Sequence, residues 1–529
     1  MSESNHSFRV AIVLFGAFLL EAFLLLWPGV LAINGHEVDA IHAAGAALRI
    51  ANGAAQHLDF VTPLGVLTFQ PVVFFLDAGF GIGRSFILAQ LLVAALISPV
   101  VWYVAVTRLS KHSALFFAGL MIVMITALVY GGDNPTVSIS MYYNRWAWAV
   151  YFLAVCLILV PRKGGGPVVD GVVLGLCLSV LALLKVTYFV TLAPVVLVWI
   201  LTQRNFGLIA ATSVVGVSAV VLATLSFGGI AFWEAYVSDL LMVSGSDVRP
   251  APGKSLGDVI ASPALFGATI CLLAAIIGLR KSGHGPQGVL LLLLAPGFVF
   301  ITYQNWGNDP KWLILLGFLS LRWRLNAIGD IFGVPARNYF SGLALVAFSL
   351  SVPSILNMSL STLRHFGADP SAYVAIALDP VHADLMIERD RSFKGEAMVD
   401  LAVAGSKETE PLMFAGTNVG GCTQKFGYFG KMQEIAKSLR KMGYGDKKIA
   451  LVDVNNPLPV IGGFETVNGD PPWYYGGTTA AAAADVLVVP KCPVSKVTFA
   501  AYIAELNKSE LSWVMVEETP HFRLFTPAQ

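Results

Sequence analysis

The sequence predicts a polytopic α-helical membrane protein with a soluble α/β domain at its C-terminal end. Three observations lead to this fold class. Only 13% of the 529 residues are charged, whereas a soluble globular chain has about 25%. The mean hydropathy is +0.71. Apolar runs close to the roughly 20 residues that cross a bilayer recur as far as residue 358 and then stop.

The apolar runs predict about 11 transmembrane helices in a domain that covers residues 1–358. Two points leave alternatives open: the run 311–322 is short, and Lys185 either separates two spans or marks a kink. The predicted spans are 10–33, 84–107, 113–130, 146–161, 168–184, 187–202, 207–227, 262–279, 287–303, 311–322 and 338–358.

The loops between the spans predict the orientation. Arg108, Arg162 and Arg322 fall in loops on the side of the N-terminus, whereas the opposite loops are richer in Asp and Glu. The positive-inside rule therefore places the N-terminus in the cytoplasm, and an odd number of spans places the C-terminal domain outside. We expect a bacterial inner (plasma) membrane protein with a periplasmic domain. A formal net charge of +1 argues against a nucleic acid partner.

Residues 359–529 have ordinary charge and alternate short β-like runs with helical patterns, which predicts an extracytoplasmic α/β domain. The clearest helical patterns are 428–441 and 496–507. The predicted strands are 373–378, 412–415, 448–454, 485–489 and 512–516. Cys422 and Cys492 are the only cysteines of this domain, and the sequence leaves open whether they form a disulfide.

The first outer loop, 34–80, concentrates ionisable groups. A helix over 39–52 would place Asp39, His42 and Arg49 on one arc, facing water above the bundle, with Gly53 at its end. A carboxylate there would serve as a general base for an acceptor hydroxyl or hold a divalent ion, and an arginine would pair with a phosphate. The alternative is an interfacial helix whose polar face is simply solvated.

At this loop the sequence resembles the membrane glycosyltransferases of the GT-C fold, which use polyprenyl-phosphate sugars. Their first outer loop has an acidic pair, a helix containing Arg, a Gly, and an Asp-Phe-x-x-Pro-x-Gly segment. The matching residues here are Glu37-Val38-Asp39, Arg49, Gly53 and Asp59-Phe60-Val61-Thr62-Pro63-Leu64-Gly65. The resemblance implies a GT-C-like fold with Asp39 as the catalytic acid and Glu37 as second choice. One departure is that Val38 separates the two acids, which are often adjacent in the family.

Other candidates follow from positions at the outer face. Lys185, Arg145 and Arg49 are candidates for binding the donor phosphate, and the alternative for Lys185 is an ion pair with a carboxylate of the protein. Asp133 is the only acid of the second outer loop, and the alternatives there are a turn residue or a ligand, shared with Asp39, of a divalent cation such as Mg²⁺ or Mn²⁺. The candidates for binding the acceptor or the sugar are His42, Asp59, Asn305, Asn308 and Asp309.

These observations predict a glycosyltransferase that moves a sugar from a polyprenyl-phosphate donor to a lipid or glycan acceptor on the periplasmic face, by an inverting displacement. Two other functions stay open. A transporter or flippase for a lipid-linked glycan would be favoured by inverted repeats, and the sequence has none that we detect. A non-catalytic subunit of a polysaccharide assembly system would tolerate replacement of Asp39.

Overall fold

The computed structural model describes residues 3–248, 255–305, 308–394, 412–420, 427–470 and 472–528. The helices of its N-terminal part are α1 (Glu3–Leu26), α2 (Glu37–Ala51), α3 (Gln70–Asp77), α4 (Ile82–Arg108), α5 (Lys111–Thr126), α6 (Tyr142–Leu159), α7 (Pro167–Leu184), α8 (Val186–Gln203), α9 (Phe206–Ser226), α10 (Ile230–Ser244), α11 (Leu256–Ala261), α12 (Pro263–Lys281), α13 (Gly285–Gln304), α14 (Trp312–Trp323) and α15 (Ala336–Phe366).

Eleven of these helices coincide with the predicted spans. Within the described ranges, eight are long and apolar enough to cross a membrane, namely α1, α4, α7, α8, α9, α12, α13 and α15. The apolar helices α5 and α14 are shorter, and α6 begins with a polar, aromatic turn. Large apolar side chains such as Phe206 and Leu225 on α9 are exposed, as expected where the solvent is lipid. The predicted polytopic helical membrane protein is confirmed.

The predicted span boundaries are most in error at the first and the last span. The span 10–33 ends early, because Pro28 and Gly29 (φ 70°) follow α1 and break the helix. Leu31–Ile33 then forms a strand instead of helix. The last span, predicted to end at 358, continues as α15 to Phe366. Lys185, which left two interpretations open, separates two helices: its backbone is extended (φ −154°, ψ 104°) between α7 and α8.

The C-terminal part is an α/β domain, as predicted. Its helices are α16 (Arg389–Lys394), α17 (Tyr428–Lys441), α18 (Leu458–Gly462), α19 (Thr479–Ala482) and α20 (Lys496–Lys508). The strands found in the described residues are β1 (Leu31–Ile33), β2 (Asp330–Ile331), β3 (Val334–Pro335), β4 (Tyr373–Ala375), β5 (Leu385–Glu388), β6 (Met413–Phe414), β7 (Thr417–Asn418), β8 (Ile449–Leu451), β9 (Val486–Pro490), β10 (Trp513–Glu518) and β11 (Phe522–Pro527).

The main sheet has the order β10-β11-β9-β8, with β8 parallel to β9 and the other pairs antiparallel. Each predicted strand of the domain overlaps an observed one, while β5, β7 and β11 were not predicted. Cys492 is disulfide-bonded. Cys156, Cys177 and Cys271 are free, and Cys422 lies outside the described residues.

The domain is joined to the first outer loop by backbone pairing. Strand β1, which follows α1, lies parallel to β5, with Leu31 opposite Leu385, in a three-stranded sheet of order β1-β5-β4. Since a parallel pair needs both strands in one register, this sheet fixes the domain above the bundle end that carries α2. The domain therefore helps to build any site at that end.

Candidate active site

Helix α2 carries Asp39 and begins after a tight turn. His36 precedes it in the left-handed conformation (φ 55°), and Gly35 lies so close to the next outer loop that a Cβ would be 2.6 Å from Thr136 Oγ1. Asp39 therefore sits in the first turn of α2, where the exposed N–H groups of a helix favour a negative charge. The Ser140 hydroxyl donates to Asp39 Oδ2 at 2.5 Å.

Asp39 opens into a cavity of about 370 Å³, called here the Asp39 cavity. Its wall is mostly polar and aromatic. The lining residues that bear polar groups are His36, Asp39, His42, Tyr130, Ser140, Tyr142, Tyr143 and Trp473. Burial lowers the pKa of the His36 imidazole, against the opposing charges of Asp39 and Glu37. Burial, followed by the charges of Asp39 and Asp309, raises the pKa of Tyr130 to about 12. His36 is thus neutral and Tyr130 protonated at neutral pH.

Lys185 opens into a second cavity, of about 490 Å³, called here the Lys185 cavity. Its Nζ donates to Asn144 Oδ1 at 2.7 Å and to Asn305 Oδ1 at 2.6 Å, and lies 5.4 Å from the centre of the Tyr143 ring. No carboxylate in the described ranges forms an ion pair with it. Burial lowers the pKa of Lys185 to about 7. The apolar part of this wall consists of Pro63, Val186, Val190, Leu240, Val243 and Phe300.

The two cavities adjoin each other. Five residues line both: His42, Leu64, Met141, Tyr143 and Trp473. Trp473 belongs to the C-terminal domain and stacks on His42 of α2, with ring centres 4.9 Å apart. The carboxylate and the ammonium thus lie on either side of a common wall to which both parts of the chain contribute.

The Pro63-Leu64-Gly65 segment joins the cavities to the end of α7. Gly65 N donates to Leu184 O at 3.1 Å, and a Cβ on Gly65 would lie 2.1 Å from Leu183 O. Only glycine permits this approach. The Pro63-Leu64-Gly65 segment therefore packs directly beside Lys185 and places Leu64 in the wall that the two cavities share.

A buried pair that the sequence analysis did not find supports this segment. His57 Nδ1 lies 2.8 Å from Asp239 Oδ2 of α10, and Thr62 N donates to the same oxygen at 3.0 Å. Gln56 Nε2 donates to Leu64 O at 2.6 Å. Nothing in the spacing of residues 57 and 239 indicates this contact.

The polar arc of α2 does not face water, which corrects the sequence-based expectation. His42 and Arg49 are both buried, because the C-terminal domain covers this arc. Arg49 Nη2 pairs with Asp470 Oδ2 at 2.6 Å. Glu37 is buried and forms a bidentate ion pair with Arg391. Helical periodicity identifies a polar face but not what covers it.

Three further candidates form a cluster beneath the cavities. Arg145 is fully buried and donates to the backbone oxygens of Val129 and, at 3.2 Å, Ser140. Asp309 accepts from Lys311 Nζ at 2.6 Å and Gly132 N at 2.8 Å. Asn308 Nδ2 donates to Tyr130 O at 2.9 Å. These three line a constriction of about 10 Å³ rather than either large cavity, and they hold the loop that presents Ser140 to Asp39.

Two predicted acids lie apart from both cavities. Asp59 is exposed, and its Oδ2 accepts from Ala55 N at 2.6 Å. Asp133 is exposed in the second outer loop and does not line the Asp39 cavity. Among the residues that the structure describes, no group of three His, Cys, Asp or Glu could hold a metal ion. The described residues around Asp39 therefore do not fit a divalent ion shared with Asp133.

A comparison with solved structures finds similarity to a membrane protein. The crystal structure of ArnT from Cupriavidus metallidurans in the apo state has a TM-score of 0.44 and 11% sequence identity, with 97% of each chain covered. No protein-family model matches the chain. No curated protein matches it. A likeness at this level carries no argument about activity, so the function is argued from the two cavities.

Several residues of the site were not found from the sequence, His36, Ser140, Asn144 and Trp473 among them. His36 and Ser140 line the Asp39 cavity, Asn144 accepts from Lys185, and Trp473 lines both cavities. His36 and Asn144 stand next to residues that were singled out. The sequence around Ser140 and Trp473 does not indicate a role in this site. Ser140 lies 101 positions and Trp473 lies 434 positions after Asp39, and only folding brings them to the same cavity.

Proposed function

We propose that the chain is a GT-C-like membrane glycosyltransferase. It moves a sugar from a polyprenyl-phosphate donor to an acceptor hydroxyl on the periplasmic face of a bacterial inner membrane. The observation that carries this proposal is the pair of adjoining cavities, one with the Asp39 carboxylate and one with the Lys185 ammonium. A displacement at a sugar needs a group that accepts a proton and a cation that stabilises a leaving phosphate, on either side of the reacting carbon.

The Lys185 cavity suits the lipid donor. An ammonium whose partners are two neutral amide oxygens is under-compensated, and a phosphodiester supplies the missing negative charge. Lys185 stands between the ends of two apolar helices, and Val190, Leu240 and Phe300 offer an apolar surface to the first isoprene units. We assign the donor to this cavity for that reason.

The Asp39 cavity suits a polar acceptor. Its imidazole, phenol and hydroxyl groups provide hydrogen-bonding partners for a hydroxylated molecule. Ser140 holds Asp39 Oδ2, which leaves the other carboxylate oxygen for the acceptor. Trp473 and His42 in the shared wall lie where the transferred sugar would rest, and aromatic rings are suitable surfaces for sugar rings.

The reaction is a single displacement. Asp39 takes the proton of the acceptor hydroxyl, whose oxygen attacks the anomeric carbon from the face opposite the phosphate. The bond between that carbon and the phosphate oxygen breaks, and polyprenyl phosphate leaves with the electron pair while Lys185 stabilises its added negative charge. The configuration at the anomeric carbon is inverted. Arg49 and Glu37, which are paired with Asp470 and Arg391, hold the C-terminal domain over the site.

The test is transfer of labelled sugar from a polyprenyl-phosphate donor by the purified full-length chain in lipid nanodiscs, with the product configuration read by NMR. We expect the wild type to transfer and Asp39→Asn to lose about 10²- to 10⁴-fold of the rate, the usual contribution of a general base. Asp59→Asn and Asp133→Asn, both exposed acids, are the matched controls and should keep the wild-type rate.

The two other functions give different results in the same experiment. A flippase would move the labelled lipid across the bilayer of a proteoliposome without forming product. A non-catalytic assembly subunit would form no product and would be unaffected by Asp39→Asn in its assembly role. Either result would overturn the proposal.

A further inference from the structure

A third large cavity lies at the end of the bundle opposite the C-terminal domain. It has a volume of about 410 Å³. Pro167 and Asp170, in the first turn of α7, line it, whereas Lys185 follows the last residue of the same helix. A helix of this length rises about 27 Å, so this opposite-end cavity is separate from the site described above.

Its polar wall centres on one carboxylate shared by basic groups. Arg108 Nη2 lies 2.6 Å from Asp170 Oδ1, and Arg162 Nη1 lies 3.6 Å from Asp170 Oδ2. Tyr103 donates its hydroxyl to Asp170 Oδ1 at 2.7 Å. Arg108 is 1% exposed, and its Nε has no hydrogen-bond partner. A single negative charge therefore faces two guanidinium groups, one of which is not fully satisfied.

More positive charge lies next to the cavity. Lys163 Nζ donates to Leu109 O at 2.9 Å, and Arg322 Nε donates to Arg108 O at 3.1 Å. Burial and then the charge of Arg322 lower the pKa of Lys163, as expected where cations crowd together. Asp170 is the only acidic group in the described lining, and Gln203, Asn205 and Gln287 add neutral amides.

We propose that this opposite-end cavity binds the phosphate of an anionic phospholipid headgroup. Two arginines with amide neighbours form a set of donors suited to a phosphate oxyanion. The cavity lies where apolar helices end, and its wall includes Trp199 of α8 and Leu208 of α9, two helices that expose other apolar side chains such as Leu201 and Phe206. Basic pockets between the ends of membrane helices are known to bind the headgroups of anionic lipids. The proposal does not depend on sugar transfer.

The test compares lipid retention by the wild type, Arg162→Gln and Arg204→Gln. Arg162 lines the cavity with a side chain 38% exposed, so its replacement leaves the buried Arg108–Asp170 pair in place. Arg204 is exposed at the end of α8 and does not line the cavity, which makes it the matched control. Each protein is placed in nanodiscs of equal parts phosphatidylglycerol and phosphatidylcholine, and bound lipid is measured by native mass spectrometry.

We expect the wild type and Arg204→Gln to retain phosphatidylglycerol selectively. Arg162→Gln should retain about tenfold less of this lipid, because one hydrogen bond between charged groups is lost. Inorganic phosphate at millimolar concentration should not displace the bound phosphatidylglycerol. Equal retention by all three proteins, or equal retention of the two lipids, would overturn the proposal. Displacement by inorganic phosphate would show that the cavity binds a soluble anion instead. Thermal unfolding of Arg162→Gln checks that the variant is folded.

Discussion

The Asp39 cavity and the Lys185 cavity share a wall but differ in chemistry. In the first, Asp39 is held by Ser140 among neutral groups that donate and accept hydrogen bonds. In the second, one ammonium faces a largely apolar wall, and its hydrogen-bond partners among the described residues are two amide oxygens. A buried cation without a counter-charge is costly, whereas a carboxylate at a helix start with a hydroxyl donor is stabilised.

This difference indicates a division of work. In the Asp39 cavity the base is already held in place by a hydrogen bond from Ser140, so this cavity suits the chemical step. The Lys185 cavity leaves a charge to be compensated, so it suits the binding of an anion and the stabilisation of a leaving phosphate. The variants below separate the two roles, because each should change a different kinetic parameter.

Lys185→Gln should have the largest effect on donor binding. It removes the positive charge but keeps a polar side chain, so donor affinity should fall about 10- to 100-fold, the contribution of a hydrogen bond between charged groups. Binding of labelled polyprenyl-phosphate sugar measures it. Lys281→Gln, at the far end of α12, is the control. Unchanged donor affinity would remove Lys185 from the phosphate site.

The pH dependence of donor capture should follow the Lys185 ammonium. Burial lowers its pKa to about 7 in the free protein, and the charged form, which binds phosphate, predominates below that value. From about pH 6 to about pH 8, kcat/KM for the donor should fall about tenfold as the proton is lost. Lys185→Arg stays charged throughout this range. A fall of equal size in Lys185→Arg would assign the titration to another group.

Ser140→Ala should have a smaller effect, confined to the chemical step. Loss of the uncharged hydroxyl donor to Asp39 Oδ2 should lower kcat about 2- to 10-fold while donor affinity stays the same. Ser140→Thr, which keeps the hydroxyl, should restore kcat. If Ser140→Thr is as slow as Ser140→Ala, or if donor affinity falls as well, the hydroxyl does not position Asp39.

The sequence was sufficient for the spans and for the loop that carries Asp39. Hydropathy reports lipid exposure directly, so the apolar helices were found, and Lys185 was recognised because a charge between two apolar runs needs a partner. The sequence did not reveal that Arg49 and Glu37 form ion pairs with residues of the C-terminal domain. Their partners, Asp470 and Arg391, lie more than 300 residues away.

Roles assigned from the outer loops changed most. Asn305, predicted to bind the acceptor or the sugar, lines the Lys185 cavity and accepts from Lys185, while Arg145 donates to backbone oxygens and lines neither large cavity. Residues that share a loop share a side of the membrane. Which of them faces a cavity is decided by packing between helices that are distant in sequence.

The most direct test of the central claim is a single-turnover experiment on Asp39→Asn with the donor already bound. Donor occupancy and product are measured in the same nanodisc sample after excess acceptor is added. We predict wild-type donor occupancy with product formation at least about 100-fold slower, since only the base is lost. Product formation at the wild-type rate would contradict Asp39 as the base. Loss of donor occupancy would contradict the assignment of the two roles to separate cavities.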